Sequence, residues 1–252
     1  MQPAKKYRTM TEIVTDELRF KILNGDFTPG QRLVAAEIAD EMGFSRMPVR
    51  DALRNLESTG LVETYPHRGT VVKDLSAEEI VEIYHIRAVL EGLASRMACT
   101  HMTPEQEEDL DRLMETYDVS ATGNEDYEGF TSFNRQFHSL IWSFSGSARL
   151  VTLLSNLYDS CSQYRNLSYI VPGRPLSIIN EHLALYQAVK SRDCDEAERV
   201  ARRHYENSSI ALLSAIEHRK SHSQGNAQLS ARNRAGLEGQ LARAEEDAVS
   251  EG

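Results

Sequence analysis

From Ser76 to about residue 218, apolar residues recur at helical spacing with almost no strand pattern. The predicted helices cover residues 77–100, 104–119, 126–145, 147–168, 176–191 and 193–218. Helices of this length, joined by short connections rich in proline, glycine and asparagine, pack as an antiparallel bundle. Residues 76–220 are therefore predicted to form an all-helical domain of six or seven helices. The abrupt start of the first helix favours six.

The N-terminal third has a different pattern. The predicted elements are helices over residues 11–23 and 35–42, a helix from an N-cap at Ser45 to Gly60, and strands over 61–65 and 70–73. Thr11 is the expected N-cap of the first helix, and Asn24-Gly25 is its expected end. Three helices followed by a hairpin are the layout of a winged helix-turn-helix. We therefore predict a mainly α protein whose residues 1–75 form a DNA-binding domain.

The charge of the chain is unevenly distributed. The 252 residues carry 28 basic and 38 acidic side chains, with a formal net charge of −10. Residues 1–75 contain 11 of each sign, whereas residues 76–220 contain 14 basic and 22 acidic side chains. An acidic protein can still bind DNA when its basic groups gather on one face. The negative net charge therefore does not argue against DNA binding by the N-terminal domain.

Composition also limits the cellular setting. The chain has no run of about 18 apolar residues and begins with polar residues, so we expect a cytoplasmic protein that does not enter a membrane. Cys99, Cys161 and Cys194 are odd in number and far apart in the sequence. That pattern argues against a disulfide framework or a cysteine zinc site, and favours buried thiols. Residues 221–252 lack aromatic residues, isoleucine and methionine, and are expected to form a disordered tail.

The third predicted helix has an arginine stripe. Arg46, Arg50 and Arg54 recur every four residues, opposite an apolar face. Such a helix can enter a major groove, where arginine pairs in a bidentate way with guanine. Ser45 and the N-terminal amides suit a phosphate, and the basic hairpin tip at His67 can reach an adjacent groove. A charged helix face that merely contacts solvent would show the same stripe. The combination of turn, helix and basic hairpin favours a DNA-binding role instead.

These residues resemble the GntR family of bacterial transcription regulators. The matching runs are Pro29-Gly30-Gln31-Arg32-Leu33, Ala36-Glu37-Ile38-Ala39, Ser45-Arg46-Met47-Pro48-Val49-Arg50-Asp51-Ala52-Leu53, Leu56-Glu57, Gly60-Leu61-Val62 and Arg68-Gly69. The resemblance implies a homodimer that binds a palindromic operator in double-stranded DNA, most often as a repressor. The DNA-binding residues that it implies are Arg32, Ser45, Arg46, Pro48, Arg50, Arg54, His67, Arg68 and Gly69.

Three histidines of the bundle are suggestively placed. Asn134 and His138 lie four residues apart on one helix face, while His182 and His204 lie on two later helices. A bundle can bring such side chains into its core, where three imidazoles and an amide oxygen form an incomplete shell for zinc or another divalent transition metal. Water or a ligand carboxylate would complete it. Spacing alone favours a different interpretation, in which these are separate histidines that lie at the surface or form hydrogen bonds.

A second resemblance concerns this domain. The matching residues are Ile86-Arg87-Ala88-Val89-Leu90-Glu91, Asn134 with Phe137-His138, Glu181-His182 with Leu185-Tyr186 and Ala188-Val189, Asp193 with Ala197, and Arg203-His204. They are similar to the FCD effector domain of the FadR-type subgroup. The resemblance implies a metal held by Asn134, His138, His182 and His204, which helps to bind a small carboxylate effector. Zinc is expected, with nickel or manganese as alternatives, and the neutral Asn134 leaves the metal's identity open.

Four further side chains of the same domain have an expected place. Arg87 is either a clamp for the effector carboxylate or the partner of Glu91, four residues on. The effector-binding residues expected are Arg87 and Tyr164, and Arg165 is placed in the same pocket. Trp142 is expected in the core.

The leading interpretation is a ligand-responsive DNA-binding transcription regulator, a repressor released by a carboxylate metabolite, and not an enzyme. The alternative is a metalloenzyme fused to a DNA-binding module, which would use the same histidines. The absence of HExxH, GxSxG and glycine-rich phosphate loops argues weakly against it. A constitutive architectural DNA binder with a purely structural metal is a third interpretation.

Overall fold

A computed structural model of the chain describes residues 8–116, 127–169 and 171–218. These residues form ten helices and one three-stranded antiparallel sheet. The expected disordered tail, 221–252, lies outside the described residues. So do the last three residues of the predicted helix 104–119.

The N-terminal domain is a winged helix-turn-helix, as predicted. Its elements are α1 (Met10–Asn24), β1 (Arg32–Leu33), α2 (Ala35–Met42), α3 (Arg46–Ser58), β2 (Val62–Tyr65) and β3 (Gly69–Val72). The strands lie in the order β1-β3-β2, with antiparallel neighbours. The sequence did not reveal β1, because two residues are too few to show the alternation of a strand.

Local capping sets the ends of these helices. Thr9, not the expected Thr11, is the N-cap of α1: its side chain accepts from the amide of Glu12, and the Glu12 carboxylate accepts from the amide of Thr9. This reciprocal pair is a capping box, which requires a Glu three residues after the cap. Thr11 has Val14 at that position and lacks the partner. Gly25 ends α1 in the left-handed conformation, as predicted.

An apolar core joins α1 to α3. Val14 and Leu18 of α1 are buried against Val49 and Leu56 of α3, together with residues of α2 and the sheet. The buried face of α3 recurs every three to four residues, as the helical period requires. Its opposite face is therefore turned to solvent, and that face carries the arginine stripe.

The C-terminal domain is a helical bundle. Its helices are α4 (Ala77–His101), α5 (Pro104–Thr116), α6 (Tyr127–Phe144), α7 (Ala148–Ser160), α8 (Ser162–Tyr169), α9 (Arg174–Lys190) and α10 (residues 194–218). The predicted helix 147–168 is two helices, broken at the buried Cys161, so the described bundle has seven helices and the favoured count of six is wrong. Apolar spacing continues across the break and hides it from a periodicity argument.

Helix α4 packs closely on α10. A Cβ atom added at Gly92 of α4 would lie 2.8 Å from Cγ of Arg202 on α10. No larger residue fits there unless one of the helices or the Arg202 side chain moves. The salt bridge from Arg96 to Asp195, 2.5 Å long, joins the same two helices nearer the start of α10. The two helices are therefore held at short distance along this face.

The two domains are joined by polar contacts as well as by the chain. Asp159 of α7 accepts from Arg19 of α1 at 2.9 Å and from Arg135 of α6 at 2.7 Å. Gln163 of α8 donates to the carbonyl of Ile22 at 2.6 Å. The first helix of the winged domain is thus bonded directly to the bundle. No described helix combines the length and apolar character needed to cross a membrane.

Candidate metal centre and nucleic-acid interface

Three helices of the bundle bring three histidines together. His138 of α6, His182 of α9 and His204 of α10 are buried, and each offers a ring nitrogen within 4.8 Å of the others. The Nε2 atoms of His138 and His182 are 3.2 Å apart. Zinc–nitrogen bonds of about 2.0–2.1 Å in tetrahedral geometry place ligand nitrogens roughly 3.4 Å apart. The spacing fits a single shared ion.

Outer hydrogen bonds orient two of these rings. Nδ1 of His204 lies 2.6 Å from the Glu181 carboxylate, and Nδ1 of His138 lies 3.1 Å from the hydroxyl of Tyr205. A second ring nitrogen bonded in this way is typical of metal-ligating histidines, because it fixes the ring and leaves the other nitrogen for the metal. Two of the three imidazoles are therefore oriented as ligands of a divalent transition metal would be.

Burial keeps two of the imidazoles in the form that binds metal. It lowers the pKa of His138 and of His182 well below 6.5, and neighbouring imidazoles act in the same direction. Burial alone would raise the pKa of Glu181, but hydrogen bonds from His204 and Arg174 outweigh it and bring that pKa to about 2. The neutral rings of His138 and His182 therefore lie near a carboxylate that stays charged.

Asn134 lies one turn before His138 on α6 and lines a small cavity beside the histidines. Its amide nitrogen donates to the hydroxyl of Tyr158 at 3.2 Å. The amide oxygen therefore remains available to a metal or a ligand, which is consistent with the role that the family resemblance implies for this residue.

The cavity beside the histidines is polar and almost filled. Residues from six helices line it: Tyr84, Arg87, Asn134, His138, Tyr158, Arg165, Ser168, Tyr169, Ile178, His204, Tyr205 and Ser208. The volume that the centre of a water molecule can reach is about 20 Å³, little more than one water needs. One water molecule or one ion fits in this state, whereas a larger ligand requires the walls to move apart.

Two buried guanidinium groups line this cavity. Arg87 pairs with Glu91 at 3.0 Å and donates to the hydroxyl of Tyr205 at 3.0 Å. Arg165 stacks over the ring of Tyr158, 3.6 Å from its centroid, and donates to that residue's carbonyl at 3.4 Å. Among the described residues, no carboxylate lies within salt-bridge distance of Arg165. Its charge is thus buried without an acidic partner.

Tyr164 does not take the place expected of it. Its hydroxyl donates to Asp74 at 2.7 Å and accepts from the amide of Leu75 at 2.7 Å, in the connection between the domains. Its ring packs against the apolar cluster that contains Tyr84 and does not line the cavity, so the structure does not bring Tyr164 to the histidines. Trp142 is buried as predicted and donates to Glu91 at 2.5 Å.

Sequence reasoning assigned no role to several residues of this site. Glu181 and Tyr205 orient two of the histidines, and Tyr158 contacts both Asn134 and Arg165. Glu181 and Tyr205 each stand next to a candidate metal ligand in the sequence, which is a weak signal. No sequence signal pointed to Tyr158, because only the packing of α7 against α6 brings it to the site.

The face of α3 that is turned away from the core carries the predicted DNA contacts. Arg46, Arg50 and Arg54 are all exposed, and Ser45 is the N-cap without a side-chain capping bond. Arg54 pairs with Asp51 at 3.5 Å. In the described part of the chain, Arg46 and Arg50 have no acidic partner, so both are available to an external anion. Pro48 lies at the start of the same helix.

The wing adds a second basic surface. His67 stands at its tip with φ of 63°, followed by Gly69 with φ of 81°. The guanidinium of Arg68 lies over the ring of Tyr65, 5.8 Å from its centroid. The Arg32 side chain reaches from β1 to the wing, since a Cβ atom at Gly69 would lie 3.6 Å from its Nε. Arginines from the wing and from β1 therefore lie together.

Metal binding should resist mild acid. Protons compete with a metal for an ordinary histidine as the pH falls through about 6.5. Because burial lowers the pKa values of His138 and His182 well below 6.5 in the fold, competition at these two ligands should begin only below that pH. Zinc content, measured by elemental analysis after desalting at stepwise lower pH, should remain full at pH 6.5.

The control for this measurement is Glu181→Gln, which should weaken zinc binding by about 10- to 100-fold, because it removes the carboxylate partner of His204. Half-loss of zinc from the wild-type protein above pH 6.5 would contradict the assignment.

Both parts of the chain match known families. Residues 10–72 match the bacterial regulatory proteins of the gntR family, and residues 82–207 match the FCD domain. The two matched segments correspond to the winged domain and to the bundle that holds the histidines. The resemblance seen in the sequence is confirmed.

Similar proteins span most of the chain. The uncharacterized HTH-type transcriptional regulator YdhC of Bacillus subtilis is 32% identical over 206 residues, which cover 81% of this chain and 92% of YdhC. The HTH-type transcriptional repressor RspR of Escherichia coli is 26% identical, covering 77% and 85%.

Among solved structures, Escherichia coli McbR/YncC has the same fold, with a TM-score of 0.70 and 24% identity over 84% of this chain and all of that one. The chain therefore belongs to the gntR family of bacterial regulatory proteins and combines its winged DNA-binding domain with an FCD domain.

Proposed function

We propose that this protein is a homodimeric transcriptional repressor that binds a palindromic operator and leaves it when a small carboxylate binds beside a metal in the bundle. The observation that carries the proposal is the buried cavity. It lies beside three clustered histidines, two of which burial keeps neutral, and is lined by a guanidinium with no acidic partner among the described residues, in a chain whose other domain exposes arginines. The relatives named above are regulators, which favours this function over a metalloenzyme fused to a DNA-binding module.

The DNA-binding step rests on α3 and the wing. Arg46 and Arg50 project from the exposed face of a helix of the size that a major groove accepts. Ser45 stands at the helix N-terminus, where backbone amides favour a phosphate. The wing arginines flank this helix and suit the neighbouring backbone.

Arg50→Ala should weaken operator binding by about 1–3 kcal/mol, if the lost contact is a bidentate pair with guanine. Arg54→Ala is the matched control, since Arg54 lies further from the helix N-terminus and already pairs with Asp51. Its effect should be smaller. Gel shifts on a selected operator measure both. Wild-type affinity in the double variant Arg46→Ala/Arg50→Ala would refute the assignment of α3 as the recognition helix.

A second copy of the chain is needed to read a palindrome. A single short helix contacts only a few base pairs, whereas a two-fold dimer reads two half-sites. Helix α4 offers an apolar stripe for this purpose: Ile86, Val89 and Leu93 are 44%, 49% and 44% exposed and follow one another at spacings of three and four. Because the bundle is acidic, two copies associate best through an apolar face.

Val89→Asp/Leu93→Asp should convert a dimer to a monomer, because it places like charges opposite each other in the contact. Leu176→Asp, at an equally exposed apolar position on α9, is the control and should leave the mass unchanged. Light scattering at micromolar concentration measures the mass. A wild-type protein that is monomeric with and without DNA would contradict the proposal.

The effector is inferred from the charges of the cavity. Three imidazoles and the Asn134 oxygen would hold zinc, or alternatively nickel or manganese, and would leave a position open for an ion that takes five or six ligands. When bound, the metal offers a Lewis-acidic site for a carboxylate oxygen. Arg165 supplies a positive charge without a carboxylate of its own, and Arg87 supplies one that is partly compensated by Glu91. A small anion with more than one carboxylate suits this combination.

Ligand entry is coupled to movement of the walls. The cavity now has space for little more than a water molecule, so a carboxylate must bind a more open state. A ligand shifts a conformational equilibrium by its differential affinity for the two states. The walls belong to helices that also contact α1 of the winged domain, through Asp159. This gives a physical route from ligand binding to the spacing of the two winged domains.

The effector response should need both the metal ligands and Arg165. In thermal-shift measurements on zinc-loaded protein, a panel of mono-, di- and tricarboxylates should stabilise the wild type and favour the multiply charged members. His138→Ala should lose zinc, carboxylate stabilisation and operator release together, while basal operator binding persists because the winged domain has its own core. His182→Ala and His204→Ala should behave alike.

Arg165→Leu should retain zinc but lose the carboxylate shift, with Arg149→Leu, at an exposed position, as the control. If all three histidine variants kept full zinc, the site would be misassigned. A normal effector response without zinc would make the metal purely structural.

A further inference from the structure

Two cysteines that are distant in the sequence meet where α4 ends and α10 begins. The Sγ atoms of Cys99 and Cys194 lie 2.6 Å apart, in direct contact. Cys99 is buried, whereas Cys194 is partly exposed to solvent. The expectation of buried thiols is therefore confirmed for Cys99 but not for Cys194. It also holds for Cys161, which is fully buried at the break between α7 and α8.

The surrounding contacts hold the two sulfurs in place. The close approach of α4 and α10 at Gly92, and the salt bridges of Arg96 to Asp195 and Glu198, fix the two helices against each other. Arg192, just before α10, donates to the carbonyl of Cys99 at 3.0 Å. The thiols therefore need no rearrangement of the helices in order to react with each other.

The pair is not part of a metal site in the described structure. Within those residues, the only group of three or more histidine, cysteine or acidic side chains close enough to share an ion is the histidine cluster. The neighbours of the Cys194 sulfur are the Thr100 hydroxyl and the Arg192 carbonyl, both at 3.7 Å, besides Cys99. Two adjacent thiols without a metal are suited to oxidation.

We propose that Cys99 and Cys194 form a reversible intramolecular disulfide when the protein meets a hydroperoxide such as hydrogen peroxide. The sulfur of Cys194 attacks the peroxide, the O–O bond breaks, and Cys194 becomes a sulfenic acid while one water leaves. The sulfur of Cys99 then attacks the sulfenic sulfur. The S–S bond forms, the S–O bond breaks, and the hydroxyl leaves as a second water with the proton of Cys99. The two thiols lose two electrons and hydrogen peroxide gains them.

The difference in solvent exposure indicates which cysteine reacts with the peroxide and which one then forms the disulfide. Solvent reaches Cys194, so the oxidant meets that sulfur first. Burial raises the pKa of the Cys99 thiol to about 12, and its hydrogen bond with Cys194 acts in the same direction. Cys99 therefore stays protonated and shielded until its neighbour has been oxidised. An exposed attacking cysteine beside a second cysteine that resolves it is the usual arrangement in peroxide-sensitive proteins.

Counting thiols tests the proposal. The full-length protein is treated with hydrogen peroxide, quenched with catalase, denatured and titrated with a thiol reagent. The reduced chain contains three cysteines, so the count should fall from three to one, and dithiothreitol should restore it. Mass spectrometry of unreduced peptides should find the Cys99 peptide linked to the Cys194 peptide.

Single variants complete the test. Cys161→Ser, the control, should still form the bond and fall from two thiols to none. Cys194→Ser changes a partly exposed residue and should keep the thiols of Cys99 and Cys161 through the same treatment. Three remaining thiols in the oxidised wild type would overturn the proposal. So would a disulfide between chains on a non-reducing gel, or a sulfinic acid at Cys194 with the Cys99 thiol intact.

Discussion

The ion pair between Arg87 and Glu91 is the interaction around which the bundle is arranged. The two side chains are 1% and 2% exposed, and their charged atoms are 3.0 Å apart. Burying two charges costs several kcal/mol per ion unless hydrogen bonds satisfy the remaining atoms. Trp142 of α6 donates to Glu91, and Arg87 donates to Tyr205 of α10. The pair thus fixes α4, α6 and α10 to one another, and these helices carry much of the cavity wall.

The other buried charges follow from this arrangement. Arg174 and Glu181 form a bidentate pair at 2.9 and 3.1 Å, and the same carboxylate bonds His204. Arg165 is left with aromatic rings and a carbonyl as its neighbours. The interior therefore has more positive than negative charge at the point where the imidazoles converge. A fold that holds such an imbalance favours an anionic ligand before any metal is considered.

The sequence predicted those features that local chemistry determines. Helices α1 and α2 end at Gly25 and Gly43, and α3 begins after Ser45, so these bounds could be read directly. The N-cap at Thr9 and the two-residue strand β1 could not. Convergence of His138, His182 and His204 is a tertiary property, and only the family resemblance favoured it over separate histidines. Contact between Cys99 and Cys194 depends on the close packing of α4 and α10, which no local pattern reveals. The break at Cys161 could not be predicted either, because the apolar spacing of a helix continues through it.

The double ion pair of Asp159 links the winged domain to the bundle. One carboxylate oxygen holds Arg19 of the winged domain, and the other holds Arg135, the neighbour of Asn134 on α6. Coupling between two binding sites is reciprocal: whatever factor the ligand applies to DNA affinity, DNA applies to ligand affinity. If the proposed coupling runs through this carboxylate, DNA is itself an effector of the cavity. Protein on its operator and protein free in solution would then respond to different concentrations of the same metabolite.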